Sequence, residues 1–502
     1  LAKEGIMPSR KGFLPEGVFV LLLAMLVCFQ GHADDLLVKV KPGSVQAFQM
    51  QFERMMGAKV EVLTDSWIHL TGPSLSQMQA LQMQFSKDVI LHVQPNFKLE
   101  MTLDVSTKDP VLRKALLKKM QEDPPAAKPS SFTDNPEIPA LPAATRGSDP
   151  LLSKQWGMFD LGVKQAWRIT RGSPSMIVAV IDTGVDYTHE DLLPNIWRNP
   201  GETGLDSKGT DKSKNGIDDD RNGYIDDVVG WDFASDDNKP YDLSTDSPIE
   251  LILTGGNPGH GTHCAGNVGA RADNGLGIAG VAPDIKIMAI RFLTEKGQGT
   301  TSGAIKSIKY ALDNGAKILS NSWGAAGEDP NEAEANKALK EIIKYAQEKG
   351  VLFVAAAGNG RGGVGYNNDT DSQPVYPASY SFENIISVAA LDAKDSLGKF
   401  SNWGAKTVDL GAPGVKIMST VPGNRYQDNI INMPDFGIVA DWDGTSMATP
   451  LVAGAAALYW SAHPDKNWRE VKKAILDSTL SIPALSGKAV SYGKLNVEKL
   501  LR

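Results

Sequence analysis

The stretch Asp443-Gly444-Thr445-Ser446-Met447-Ala448-Thr449-Pro450 constrains this chain more than any other. It sets a hydroxyl nucleophile at the head of a run of small apolar residues, Thr449 to Trp460, that reads as a wholly buried helix. A serine there has the positive end of a helix dipole beside it and backbone N–H groups that an oxyanion can share. Alone, the octapeptide points to hydrolysis through a serine nucleophile.

Two further segments sharpen that reading. Met176 to Ile181 is an uninterrupted apolar run of strand length, and Asp182-Thr183-Gly184 follows at its carboxyl end. In an open parallel sheet, function collects at that end. Gly259-His260-Gly261-Thr262-His263-Cys264-Ala265-Gly266 places a histidine between glycines and starts a second small-residue helix. A hydroxyl nucleophile, an imidazole base and a carboxylate to orient it are thus present in the order Asp, His, Ser.

At these residues the chain resembles the subtilisin-like serine proteases, or subtilases, with all three family motifs in order from about Asp149 to the C-terminus. The resemblance implies that Ser446 attacks a scissile carbonyl, His260 moves the proton and Asp182 orients the imidazole. It marks Asn359, after the apolar run Val351 to Ala357, as the side-chain oxyanion donor, and His263 as a packed structural histidine. It also implies an edge strand for extended substrates at Gly297, Gln298 and Gly299. Ser322, Trp323, Gly324, Ala357 and Gly358 would wall the primary pocket, with Val375 at its floor disfavouring the largest aromatic side chains.

Apolar runs at Ile285 to Phe292, Ala316 to Leu319, Val351 to Ala356 and Ile385 to Ala390 alternate with helical stripes. That pattern predicts an α/β fold with a doubly wound, mostly parallel sheet over residues 149–502. Ahead of it, residues 34–104 alternate as βαββαβ, a small ferredoxin-like α+β unit. This unit resembles a subtilase propeptide, which assists folding and inhibits the enzyme until removed. Residues 105–148 read as a basic helix capped by Asp109-Pro110 and then a proline-rich tether. Maturation cleavage is expected between Leu99 and Arg146, either near the last strand or in the tether.

Residues 1–33 read as a cleaved signal peptide, with Arg10 and Lys11 before the apolar run Val18 to Phe29 and a small-x-small site at Gly31-His32-Ala33. The expected product is a secreted, extracellular or periplasmic monomer that meets the membrane only through this segment. The chain holds two cysteines, and losing Cys28 with the leader would leave Cys264 as a free, packed thiol. A formal net charge of −8 leaves no electrostatic footprint for nucleic acid. Expected partners are protein and peptide substrates and the chain's own propeptide.

Carboxylates crowd an insert at about 205–246. Within it, Asp218, Asp220, Asn222, Tyr224 and Asp227 offer hard oxygen ligands around Gly223, as a calcium loop does, although Val229 stands where an EF-hand has its bidentate Glu. The resemblance adds a second structural Ca2+ site at Asp149, Asp191 and Asn274. Two rival readings stay open: a subtilase scaffold that binds without cutting, and an esterase or amidase using the same three residues on small molecules.

Overall fold

The computed structural model describes residues 35–56, 59–73, 89–101, 110–122, 137–141, 146–245, 247–325 and 336–502. The signal segment, the second helix of the expected βαββαβ unit and most of the tether lie outside the described residues. The chain divides into two units, Leu1–Asn96 and Phe97–Arg502.

In the first unit, strands Lys59–Val62, Trp67–Thr71, Asp35–Val40 and Ile90–Pro95 form an antiparallel sheet in that spatial order. Helix Val45–Met56 supplies Val45 and Phe48 to its core, against Leu36, Val38, Ile68 and Leu70. Leu36 and Val38, and Ile68 and Leu70, alternate along their strands and share the helix-covered face, while Leu37 and Trp67 are buried on the other.

The second unit is built on a nine-stranded sheet. Its order is Leu480–Ser481, Gly493–Lys494, Leu410–Pro413, Ile385–Leu391, Leu352–Ala356, Ile318–Asn321, Ile177–Asp182, Lys286–Arg291 and Gly230–Asp232. All pairs are parallel except the short outermost one. The central strands are buried along their whole length, which is why they read as unbroken apolar runs instead of alternating ones. The expected doubly wound α/β architecture holds. Four of the strands, Gly230–Asp232, Leu410–Pro413, Leu480–Ser481 and Gly493–Lys494, escape sequence reading because they are short and interrupted by polar residues, glycine or proline.

Two buried helices meet on one face of the sheet. Thr445–Ala462 packs against His260–Gly269 and lies under the strands around Ile318–Asn321 and Ile385–Leu391. Helix Pro110–Glu122 belongs to this unit as well, with Leu116 fully buried in the main core and Arg113 Nη1 donating to the Leu253 carbonyl at 2.6 Å. Among the described residues, no helix is long and apolar enough to cross a membrane.

His263 is a structural member of this core. Its ring stacks on Trp442 at 4.0 Å between centroids, and Nε2 donates to the Ile417 carbonyl at 2.9 Å. Complete burial pushes its pKa down to about 3 from the ordinary 6.5. Folding therefore holds the ring neutral while the unfolded chain takes up a proton, so the stability from this group is full above pH 6.5 and drains as pH falls toward 3. The expected slope is about 1.4 kcal/mol per pH unit. Urea midpoints measured across that window should fall less steeply for His263→Asn, and identical slopes would disprove the assignment.

Candidate active site

Asp182 ends the central strand Ile177–Asp182, and its Oδ1 accepts the Thr183 backbone N–H at 2.8 Å. The same oxygen lies 2.7 Å from Nδ1 of His260, the first residue of helix His260–Gly269. Both side chains are wholly shielded from solvent. With Nδ1 donating to the carboxylate, Nε2 is the nitrogen left to act as base, and it has no hydrogen-bond partner among the described residues.

Ser446 stands in the first turn of helix Thr445–Ala462. Its Oγ donates to the Ser322 carbonyl at 3.2 Å, while Ser322 Oγ donates to the Ser446 carbonyl at 3.0 Å. Cys264 Sγ, one turn after His260, reaches that same carbonyl at 3.5 Å. Its thiol is buried and pushed well above the ordinary value, so it stays protonated and packs without reacting. The serine and histidine helices are thereby locked at adjoining ends.

Asn359 follows strand Leu352–Ala356, and its Oδ1 accepts both the backbone N–H and the hydroxyl of Thr445, each at 2.9 Å. Fixing the amide oxygen fixes the direction of Nδ2. A Cβ built on Gly444 would lie 3.2 Å from Asn359 Nδ2 and 3.5 Å from the Ser446 N. Residue 444 thus borders both nitrogens, and a side chain there would crowd the Asn359 amide. The sequence motif includes Gly444 but gives no hint of this duty.

Asp242 is a second residue that sequence reading missed. It is fully buried and accepts four hydrogen bonds, from Thr183 Oγ1, Asn257 Nδ2, Thr262 N and Thr262 Oγ1, at 2.5–2.9 Å. Asn257 Oδ1 in turn accepts the N–H groups of Gly259 and His260, and Thr183 Oγ1 accepts that of Gly261. Burial pushes the Asp242 carboxyl up to about 6 even against these donors. Its approach depends on Gly184, whose φ is +102° and where a Cβ would meet the Pro240 and Tyr241 carbonyls at 2.7 Å. Asp242 lies near the end of the acidic insert and outside the histidine motif, so no local motif announces it.

A three-stranded sheet adjoins the serine through Ser322, which precedes its strand Trp323–Ala325. Strand Lys98–Met101 lies between Gln298–Thr300 and Trp323–Ala325, antiparallel to both. Met101 N donates to the Gly297 carbonyl at 2.9 Å, and Gly299 pairs with Leu99. Trp323 pairs with Met101, Gly324 with Glu100 and Ala325 with Leu99. Ala357 joins a small cluster with Ala389 and Val408, and a Cβ on Gly358 would meet Val375 Cγ2 at 2.6 Å. Val375 therefore packs directly behind Gly358.

Of the ligands expected in the acidic insert, Asp220 and Asp227 come together, joined by Glu202 from just before it. Glu202, Asp220 and Asp227 bring carboxylate oxygens within 4.8 Å of one another. Glu202 is buried, with Oε1 accepting the Asp219 and Asp220 N–H groups and Oε2 unpartnered among the described residues. Burial raises its pKa and carries that of Asp227 to about 6. Asp218 instead caps the turn, accepting from Asn222 N and Gly223 N, and Asn222 Nδ2 donates to Asp220 and Asp227. The Tyr224 ring packs on Trp231, Phe233 and Tyr310. Three converging carboxylates with an unpartnered buried oxygen suit a hard divalent cation such as calcium.

The second expected set also meets. Asp149 accepts from Asp273 N and Asn274 N, while Asp191 accepts from Asn274 Nδ2 and Ile278 N. Asn274 turns its nitrogen toward Asp191, and its oxygen accepts the Leu276 N–H. Burial pushes Asp191 up to about 7. Hydrogen bonds thus draw Asp149, Asp191 and Asn274 into one clasp.

The profile of the Subtilase family matches residues 173–497. A thermophilic serine proteinase of Bacillus sp. (strain AK1) is 35% identical over 342 residues, 68% of this chain and 65% of that one. Thermitase of Thermoactinomyces vulgaris is 34% identical over 356 residues, 71% of this chain and 99% of that one. The crystal structure of fervidolysin from Fervidobacterium pennivorans, a keratinolytic enzyme related to subtilisin, superposes with a TM-score of 0.62 at 25% identity, covering 94% of this chain and 62% of that chain. Over a region that holds the strand end at Asp182, the helix starting at His260 and the helix head at Ser446, this chain belongs to the subtilase family of subtilisin-like serine proteases.

Proposed function

We propose that the chain is a secreted serine endopeptidase made as a self-inhibited precursor. The observation that carries this reading is the convergence of an Asp182–His260 pair, a helix-head serine and two N–H donors beside a strand-lined cleft. Strands Gln298–Thr300 and Trp323–Ala325, which already pair with an extended segment, suit a polypeptide better than a small ester or amide.

In the proposed reaction Ser446 Oγ attacks the scissile carbonyl while His260 Nε2 takes its proton. Asp182 holds the imidazole in the tautomer that makes this possible and stabilises the imidazolium. The carbonyl oxygen, now negative, is held by Asn359 Nδ2 and Ser446 N. His260 then protonates the leaving amine, and water hydrolyses the acyl-enzyme by the same route reversed. Strand Lys98–Met101, at the end of the propeptide, occupies the cleft as a substrate would and so inhibits the precursor. Secretion rests on the leader at residues 1–33.

Glu202, Asp220 and Asp227 would hold Ca2+, tying the acidic insert to the core through Tyr310, which hydrogen-bonds Asp227 at 2.5 Å. Bound calcium supplies structural stability and takes no part in bond cleavage.

Two outcomes follow. Asn359→Ala and Gly444→Ala should each lower kcat with little change in KM, because both act on a charge that exists only in the transition state. For Asn359→Ala the expected loss is about 2.7–4 kcal/mol, the range known for the same removal in subtilisin itself; steady-state kinetics on a peptide anilide that returned an unchanged kcat would refute the assignment. Chelation should lower Tm, with about 2.7 kcal/mol lost when calcium had stood at a hundredfold its Kd. Glu202→Gln should shrink that calcium-dependent part, and a Tm indifferent to chelator would remove calcium from the reading.

A further inference from the structure

We propose that helix Pro110–Glu122 is a lasting brace of the catalytic unit. It docks on a surface shared by helix Pro248–Thr254 and the hairpin of strands Asn429–Met433 and Ile438–Asp441, and it is kept when the propeptide is lost. Docking stands apart from the endopeptidase reading, and retention through maturation rests on that reading.

The helix has one covered face. Leu112, Leu116 and Lys119 recur at helical spacing, with Leu116 wholly buried in the main core and Leu112 packed against it. Lys114, Leu117 and Lys118 lie exposed on the opposite side. A helix of 13 residues is marginal in water by itself, so the covered face is what holds it.

Two cationic side chains fix its place. Arg113 Nη1 donates to the Leu253 carbonyl at 2.6 Å, in the last turn of helix Pro248–Thr254, where unmet carbonyls and the negative end of the dipole favour a cation. Lys119 Nζ stands 5.7 Å from the centre of the Phe436 ring, at the turn of the hairpin. Helix Pro248–Thr254 and strand Asn429–Met433 pack on one another, so the two docking elements form one continuous surface. Loss of residues 1–96 removes none of these contacts, since all of them lie within the second unit.

Each docking element runs directly into a reacting group. Gly255 and Gly256, with φ of +71° and +125°, are all that lies between helix Pro248–Thr254 and Asn257, whose Oδ1 accepts the His260 N–H at 2.8 Å. Two glycines in succession leave that link pliant unless the helix before it is held. Trp442, Asp443, Gly444 and Thr445 join the hairpin to Ser446, and Trp442 stacks on His263. A brace across both elements therefore steadies the approaches to His260 and Ser446 from outside the reacting set.

The test is amide hydrogen exchange on the full chain carrying Ser446→Ala, which removes the nucleophile, compared with the same chain carrying Arg113→Ala or Leu116→Asp in addition. The expected result is slow exchange over residues 112–119 in the Ser446→Ala chain. In both added variants exchange over residues 248–257 should be about tenfold faster, with strand Ile177–Asp182 unchanged. Leu116→Asp should also speed residues 429–443. A helix that exchanges freely, or exchange over 248–257 that does not respond to Arg113→Ala, overturns the docking. Arg113→Ala leaves the core leucine in place and so decides the docking even where Leu116→Asp fails to fold. A second arm follows the chain with Ser446 intact through maturation, by active-site titration and intact mass. One copy of residues 112–119 per titrated serine is expected, joined to the main chain or held to it without a bond. A casein-degrading enzyme that has shed those residues overturns retention and leaves the endopeptidase reading standing. A chain that cuts neither itself nor casein overturns the endopeptidase reading and retention with it, while exchange still decides the docking.

Discussion

Close approach of two buried helices is the constraint on which the rest of this molecule depends. Helix Thr445–Ala462 can run beneath the sheet and against helix His260–Gly269 only because both are built of small residues. A Cβ at Gly454 would stand 2.7 Å from Val281 Cβ and 3.1 Å from the Val268 carbonyl. Such dense packing leaves the helix heads no freedom to drift. The serine and histidine are thus fixed by the backbone of a core and not by mobile loops, which is what a reaction sensitive to fractions of an ångström needs.

Around that contact the polar groups form a closed circuit. Asp242 receives donors from the strand end at Thr183, from Asn257 ahead of the histidine, and from Thr262 just after it. A buried carboxylate is costly unless its lone pairs are met, and here meeting them ties three separate chain segments into one geometry. Asn359 plays the matching part on the serine side, where its oxygen is spent on Thr445 so that its nitrogen is aimed. The acidic insert follows the same physics with the opposite outcome. Glu202 keeps a buried oxygen unmet among the described residues, and burial holds Asp227 partly toward its neutral form. A cation held there would relieve both costs at once.

Much was legible in one dimension because the chemistry is written in local motifs. Burial on both faces makes the central strands continuous apolar runs, and close packing fills much of the two key helices with small residues; each pattern survives in the linear order. Short strands such as Gly493–Lys494 carry no such pattern, since their place is set by the neighbour they pair with. Glu202 shows the same limit. It sits outside the aspartate-rich loop, while Asp218, at the head of that loop, is spent on holding the turn.

Fold class, family and the residue types at Asp182, His260 and Ser446 were determined by the sequence alone, because local periodicity and motif order are properties of the chain. Only the tertiary structure decided that Gly444 borders Asn359 Nδ2 and Ser446 N, that Asp242 anchors the histidine segment, and that strand Lys98–Met101 pairs between Gln298–Thr300 and Trp323–Ala325 in one register. These depend on segments tens or hundreds of residues apart meeting within a few ångströms. Distance along a chain carries no record of distance in space, and buried polar groups find their partners only when the core has closed around them.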